Sequence, residues 1–231
     1  MAIEILSRTP LRFYSKKGVK YFENFCAVDK LKQPVNISID HSDIMPSIKA
    51  VNHQNKESMY NINIDVPKRE MKGITLNTEP HNQGIGEILN LAAIIEFQQN
   101  NLNKFNVFSL RESIQFYTRY GFNLVTEDAE EILHNLKLVL KAKPEKFNNL
   151  KSEARFYLPQ ISSNSKTDPF VKQRACDVIS KYLQSLSKEH KKINPYNIKY
   201  SSQMMLNDWN IETNRDYLNS LMDLHEINYK V

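Results

Sequence analysis

Residues 81–101, HNQGIGEILNLAAIIEFQQNN, place Gly84 and Gly86 where a strongly apolar helix pattern begins, in a chain of 231 residues that holds only five glycines. The start of a helix presents backbone N–H groups without intrahelical acceptors and a partial positive charge, a combination that suits a phosphate. Glycine there removes the Cβ that would hold a pyrophosphate away from the backbone. The stretch is not a P-loop, because no Lys-Ser/Thr pair follows the second glycine. It is not the dinucleotide fingerprint either, since Leu89 stands where the third glycine belongs. A G-x-G at a helix start serves a tight turn as well as an anion site, and at this point both readings stand.

Other side chains around this stretch carry chemistry of their own. Glu79, just before the turn, is placed to deprotonate an incoming ammonium or to sit as an exposed turn carboxylate. His81 reads as a phosphate neighbour or a turn residue. Glu87, in the first helical turn, answers the helix dipole. Tyr117 shares an apolar helix face with Ile114 and Tyr120, where a packed core tyrosine belongs. Cys26 and Cys176 are too few for a disulfide framework and lack metal-ligand spacing, so no metal is expected; Cys26, in YFENFCAV, reads as packing.

These residues need elements to hold them. VNISID (35–40) and YNINID (60–65) alternate apolar and polar residues, the period of a half-buried strand, with a polar, asparagine-rich connection between them. MKGITLNT (71–78) is a third strand, with Gly73 marking a bulge. The helix after Gly84 is apolar over most of its girth and so buried on two sides. FNVFSL (105–110) is a buried strand, RESIQFYTRY a short helix closed by Gly121, and FNLVT (122–126) another strand. Asp128 caps a helix with Glu131 three residues on. ARFYLP (154–159) reads as a last strand, and the earlier GVKYFENFCAVDKL (18–31) as helix-like. SSNSKTDP (162–169) has linker composition. Asp168 and Pro169 open a long amphipathic helix with Val171, Ala175, Val178, Ile179, Tyr182, Leu183 and Leu186 inward. A final helix from about Ile211 turns Tyr217, Leu218, Leu221 and Leu224 inward. Trp209 and Met204–Met205 are expected to dock the tail.

Composition narrows the class. Hydrophobic residues at 41% and charged residues at 25% describe an ordinary globular chain. No apolar run reaches the length of a membrane span, and MAIEILSRTP lacks the features of a secretory signal, so the expected compartment is the cytoplasm, signal-free delivery into another cell's cytosol reading the same. The net charge of +5 is spread along the chain and marks no concentrated nucleic-acid patch.

Taken together, HNQGIGEIL and, about thirty residues later, FYTRYGF resemble the GNAT superfamily of acyl-CoA-dependent N-acyltransferases. That family carries Q/R-x-x-G-x-G/A at a strand-to-helix junction and a tyrosine four residues before a Gly-Phe pair. Here the first pattern is His81-Asn82-Gln83-Gly84-Ile85-Gly86 and the second is Tyr117 with Gly121-Phe122. The likeness spans about residues 60–126. It implies an α/β (α+β) fold, a mixed central sheet flanked by helices over residues 1–160, with a helical C-terminal extension over 166–231.

The resemblance also implies a mechanism. The coenzyme A pyrophosphate would lie on the helix start, against the backbone N–H groups of Gln83, Gly84, Ile85, Gly86 and Glu87, with His81 beside it. The pantetheine arm would pair with the strand backbone near Leu76, Asn77 and Thr78, and the strand from Asn106 to Leu110 would splay to admit it. An amine would attack the acetyl or other short acyl carbonyl directly, with Glu79 as candidate base, and Tyr117 would protonate the departing thiolate.

Three positions depart from the family pattern. His81 replaces the usual Arg or Gln, Leu110 stands where many members carry an asparagine, and the helices near 128–142 and after 168 lie outside the usual core. The second reading is therefore a degenerate member that catalyses nothing and binds a protein partner through its helical tail. The acceptor is not written in the sequence. A protein lysine or N-terminus, a polyamine, an aminoglycoside and an aminoacyl-tRNA all remain open. The long tail helix is expected to pack on the body or to form a homodimer, because its apolar stripe cannot stay exposed.

Overall fold

The structure is a computed structural model that describes residues 7–10, 13–16, 18–40, 45–79, 83–143, 145–161, 167–189, 194, 197–199 and 203–231. His81 and Asn82 of the glycine motif, and residues 162–166 of the linker-like stretch, lie outside the described residues. The fold is mixed α/β: eight strands belong to one mixed sheet, two more form a hairpin, and seven helices are described, most of them in the C-terminal half. The chain divides into two compact units, residues 1–106 with 211–231, and residues 107–210.

In the first unit, β1 (Phe13–Lys16) pairs with β2 (Val19–Phe22). Strands β3 (Phe25–Val28), β4 (Pro34–Asp40), β5 (Ser47–Asn52), β6 (Glu57–Asp65) and β7 (Glu70–Asn77) follow as an antiparallel run, each bonded to the one before it. The 60–65 and 71–78 expectations fall on β6 and β7, and the 35–40 expectation on β4. Val35, Ile37, Ile48, Ala50, Tyr60, Ile62 and Met71 form the buried side of these strands. The helix α1 (Ile85–Gln99) packs on β2, β5, β6 and β7. Its apolar residues occupy every side of the helix because every side is covered: Ile88, Leu89, Leu91, Ala92, Ala93, Ile94, Ile95 and Phe97 are all fully buried. Its C-terminal end is tied to β2, where Asn100 Oδ1 accepts from the Lys20 N–H (2.8 Å) and Asn100 Nδ2 donates to the Lys20 carbonyl (2.8 Å).

Gly73 sits beside a bulge, as its place in the strand suggested. The register slips between Asn61 opposite Thr75 and Ile62 opposite Gly73, so Ile74 is the extra residue. A Cβ at Gly73 would stand 2.1 Å from Tyr60 Oη, so the glycine makes room for the buried tyrosine crossing it.

Two expectations for this unit are corrected. The helix-like stretch 18–31 holds two strands of different sheets, β2 and β3. Val19, Phe22 and Cys26 satisfy a helical spacing, but β-branched and aromatic residues also suit strands, and pairing with β1 and β4 decides the outcome. The polar connection after β4 contains β5. Its apolar residues are few, and the polarity of the stretch belongs to a tight turn in which Asn52 Oδ1 accepts from the N–H groups of Gln54 (2.9 Å) and Lys56 (3.0 Å).

β8 (Lys104–Phe108) runs across the unit boundary. In the second unit a single 3₁₀ turn (Arg111–Ser113) leads into α2 (Ile114–Arg119), and Gly121 follows at φ +95°, the left-handed residue foreseen after that helix. β9 (Asn123–Leu124) pairs antiparallel with β10 (Gln203–Leu206), a strand the sequence reading did not anticipate. Met204, expected to dock the tail, is a fully buried β10 residue opposite Leu124, whereas Trp209 is 72% exposed.

Helix α3 (Ala129–Leu140) starts at Asp128, whose carboxylate accepts from the Glu130 and Glu131 N–H groups. Residues 154–159, expected as a strand, belong to α4 (Asn148–Tyr157) and the 3₁₀ turn after it. Leu150 and Ala154 recur at helical spacing, and only Ala154 among the helix's residues is buried, with Phe156 63% exposed. Helix α5 (Pro169–Lys188) is capped by Asp168, which accepts from the Phe170 N–H at 2.8 Å, and packs against α2, α3 and α4.

The expected final helix is two, α6 (Asp208–Thr213) and α7 (Arg215–Leu224). Leu218, Leu221 and Met222 face inward, but Leu224, expected inward, is 43% exposed. Among the described residues no helix is long and apolar enough to cross a membrane.

Candidate functional site

The glycine turn lies between β7 and α1. Leu76 is half-buried opposite Tyr60, Asn77 is exposed opposite Met59, and Thr78 follows them half-buried. Glu79 presents an exposed side chain from a fixed backbone: its N–H donates to Ser58 Oγ (2.8 Å), and the same hydroxyl donates to its carbonyl (3.0 Å). Ser58 thereby holds the end of the strand at the point where the chain turns toward α1.

Gly84 is the N-cap of α1 at φ +86°, a left-handed conformation that glycine adopts without strain. Two side chains press on it. A Cβ at Gly84 would lie 3.0 Å from Lys30 Cγ and 3.1 Å from His225 Cε1. Part of the answer to why glycine stands here is thus internal, a close approach by the protein's own residues. Gly86 lies within the first helical turn and is absent from the positive-φ glycines, so its need for glycine is not conformational.

Gly84, as the N-cap, makes no side-chain cap for α1; the Ile88 N–H donates to the Gly84 carbonyl (3.0 Å). The amino end of Ile85, Gly86 and Glu87 carries the partial positive charge of a helix start. Gln83, half-buried, accepts from the Lys30 N–H through its carbonyl (3.0 Å).

Glu87 does more than face the helix dipole. Its side chain is buried, with Oε1 2.8 Å from His225 Nε2 and 3.9 Å from Lys30 Nζ. His225 is fully buried, and its Nδ1 stands 2.6 Å from the Val28 carbonyl oxygen. The turn that brings Lys30 is built by Asp29, whose buried carboxylate accepts from the Leu31 (2.7 Å) and Gln33 (2.9 Å) N–H groups. The structure therefore gathers Gln83, Gly84 and Glu87 with Lys30 and His225.

Lys30 and His225 were not found from the sequence, since neither sits in a recognisable pattern. One signal was there to use. A glutamate inside an otherwise buried helix requires a cationic or hydrogen-bonding partner from elsewhere in the chain.

Tyr117 belongs to the second unit. It lies on α2 with a buried ring, edge-on to Phe116 (5.1 Å) and Phe122 (5.4 Å). Its carbonyl accepts from the N–H groups of Tyr120 (3.0 Å) and Phe122 (3.3 Å), which closes the helix into the Gly121-Phe122 turn. Leu110 is 74% exposed at the start of the 3₁₀ turn, and Phe108 is 73% exposed at the end of β8.

Neither cysteine is placed as a nucleophile. Both are buried, and burial pushes the Cys176 thiol up to about 12. Among the described residues no three His, Cys, Asp or Glu side chains are grouped to hold a metal ion. Comparison with known proteins gives no match, whether to a family model, a curated protein or a solved structure.

Proposed function

We propose that the chain is an acyl-CoA-dependent N-acyltransferase of the GNAT type, which passes an acetyl or other short acyl group from coenzyme A to a primary amine. The observation that carries the reading is the amino end of α1. A strand leads into a glycine turn and then into a helix whose N-cap residue, Gly84, makes no side-chain cap. Backbone N–H groups at such an end suit the pyrophosphate.

The position of Glu87 supports the same reading. A bare carboxylate beside a phosphate would oppose binding, but this one is compensated by the His225 imidazole and the Lys30 ammonium. Lys30 is long enough to supply a cation beside Gly84, where the family's Arg or Gln is replaced by His81.

The chemistry is a direct displacement. The amine nitrogen bonds to the acyl carbon, the carbon–sulfur bond breaks, and the thiolate takes a proton. In this reading Leu76, Asn77 and Thr78 pair with the pantetheine amides, Gln83 through Glu87 hold the pyrophosphate, and Glu79 takes a proton from the ammonium; the family resemblance alone assigns the proton donor of the sulfur to Tyr117. No step uses a metal.

The test is release of free thiol from acetyl-CoA across an amine panel, with the products identified by mass spectrometry. Tyr117→Phe keeps the ring contacts with Phe116 and Phe122 and removes only the hydroxyl. General acid catalysis contributes a factor of about 10² to 10⁴, so turnover is expected to fall at least about tenfold while cofactor affinity holds. Wild-type turnover in the Phe variant would remove Tyr117 from the chemistry, and the absence of thiol release with every amine would favour the partner-binding reading. That second reading, binding through the helical tail, draws on two exposed aromatic side chains of the C-terminal extension, Phe170 and Trp209.

A further inference from the structure

We propose that Glu87 and His225 form a proton-dependent latch that fastens the C-terminal segment to the first turn of α1. The inference follows from what each ring nitrogen of His225 faces. Nδ1 lies 2.6 Å from the Val28 carbonyl oxygen, which only accepts, so Nδ1 carries a proton. Nε2 lies 2.8 Å from Glu87 Oε1. Either Nε2 also carries a proton and donates to a carboxylate, or a protonated carboxyl donates to a bare Nε2. Both arrangements hold one proton more than a carboxylate beside a neutral imidazole.

Removing that proton leaves two lone pairs facing each other, at Nε2 and Oε1 or at Nδ1 and the Val28 oxygen. The ring is fully buried and the carboxylate 3% exposed, so water does not relieve the conflict. Lys30 Nζ stands 3.9 Å from the same Oε1. Two other carboxylates among the described residues adjoin these segments in the chain. Asp29 is bonded to the Leu31 and Gln33 N–H groups, and Glu226 is paired with Arg8 (3.4 Å) and Lys32 (3.7 Å).

What the latch holds is specific. His225 is the C-cap of α7, and its carbonyl accepts from the Val28 N–H (2.9 Å), so the two residues are joined twice. The imidazole also rests against Gly84, which fixes the turn into α1. The inference stands apart from the acyl-transfer reading, because it concerns the free protein and needs no ligand.

Hydrogen exchange of the Val28 amide in the full chain, corrected for intrinsic exchange, tests it between pH 6 and 9, with the Ile94 amide inside α1 reporting global opening. One linked proton changes an equilibrium about tenfold per pH unit once it has begun to leave. Val28 protection is therefore expected to fall at least about tenfold across the range, and more than that of Ile94. Glu87→Gln supplies an amide N–H that donates to a bare Nε2, so the latch closes on a neutral ring and Val28 protection no longer falls by more than that of Ile94. Constant protection in the wild-type chain, or an undiminished fall in Glu87→Gln, overturns the proposal. Should the variant fail to fold by circular dichroism, imidazole ¹⁵N and Glu87 carboxyl ¹³C shifts of the wild-type chain at pH 6 decide. An extra proton on either group supports the latch, and a neutral ring beside an ionised carboxylate overturns it.

Discussion

Burial sets the behaviour of a second carboxyl on α1. Glu96 is fully buried, and desolvation pushes it from its ordinary 4.5 up to about 8, although the Phe22 N–H donating to Oε1 (2.7 Å) pulls the other way. In the window between those values the native chain holds a proton on Glu96 that the unfolded chain has lost. The stability that Glu96 contributes is therefore full below about pH 4.5, declines as pH rises, and is lost above about 8. Each unit of difference is worth about 1.4 kcal/mol, so the whole effect is of the order of a few kcal/mol. Glu96→Gln keeps an oxygen for the Phe22 N–H and removes the titration. Urea denaturation is expected to show a smaller slope of stability against pH in this variant, and an unchanged slope would place the titration elsewhere. At this scale the sequence revealed Gly84 and Gly86 as special but not the reason for Gly84. Its neighbours Lys30 and His225 come from points in the chain that no local pattern connects to residue 84.

Among the elements, α1 was the most legible, because a stretch apolar on every side has few homes other than the interior. β4, β6 and β7 were equally clear from their alternation. Two errors share a cause: in 18–31 and in 154–159 short segments fit two periodicities, and pairing or packing from outside the segment made the choice. β5 was hidden instead by the polar stretch and turn around it. Asn90 is the one break in the buried face of α1 that its surroundings do not explain: it is fully buried, and neither end of its amide finds a hydrogen-bond partner among the described residues. An unsatisfied buried polar group costs about 1–3 kcal/mol. Asn90→Leu, similar in size and a better helix former, is expected to raise the unfolding free energy by up to that amount. A loss of stability would show that the amide is satisfied by an enclosed water.

For the molecule as a whole, the amphipathic tail was legible and its destination was not. Residues 211–231 belong to the same unit as 1–106, and Leu218, Leu221, Met222 and Ile227 are buried there. Truncation after Asn210 is expected to expose that apolar surface and drive aggregation on size exclusion; a truncated chain that stays monomeric and as stable as the full one would contradict this. The central claim, that the amino end of α1 takes an acyl-CoA, is tested most directly by isothermal titration of acetyl-CoA into the full chain and into Gly86→Val. Valine fits a helix better than glycine does, so the variant is expected to fold, while its side chain stands where the phosphates would approach. Micromolar binding to the wild-type chain, lost in Gly86→Val, is the predicted result. No detectable binding to the wild-type chain, or equal binding to both, would contradict it.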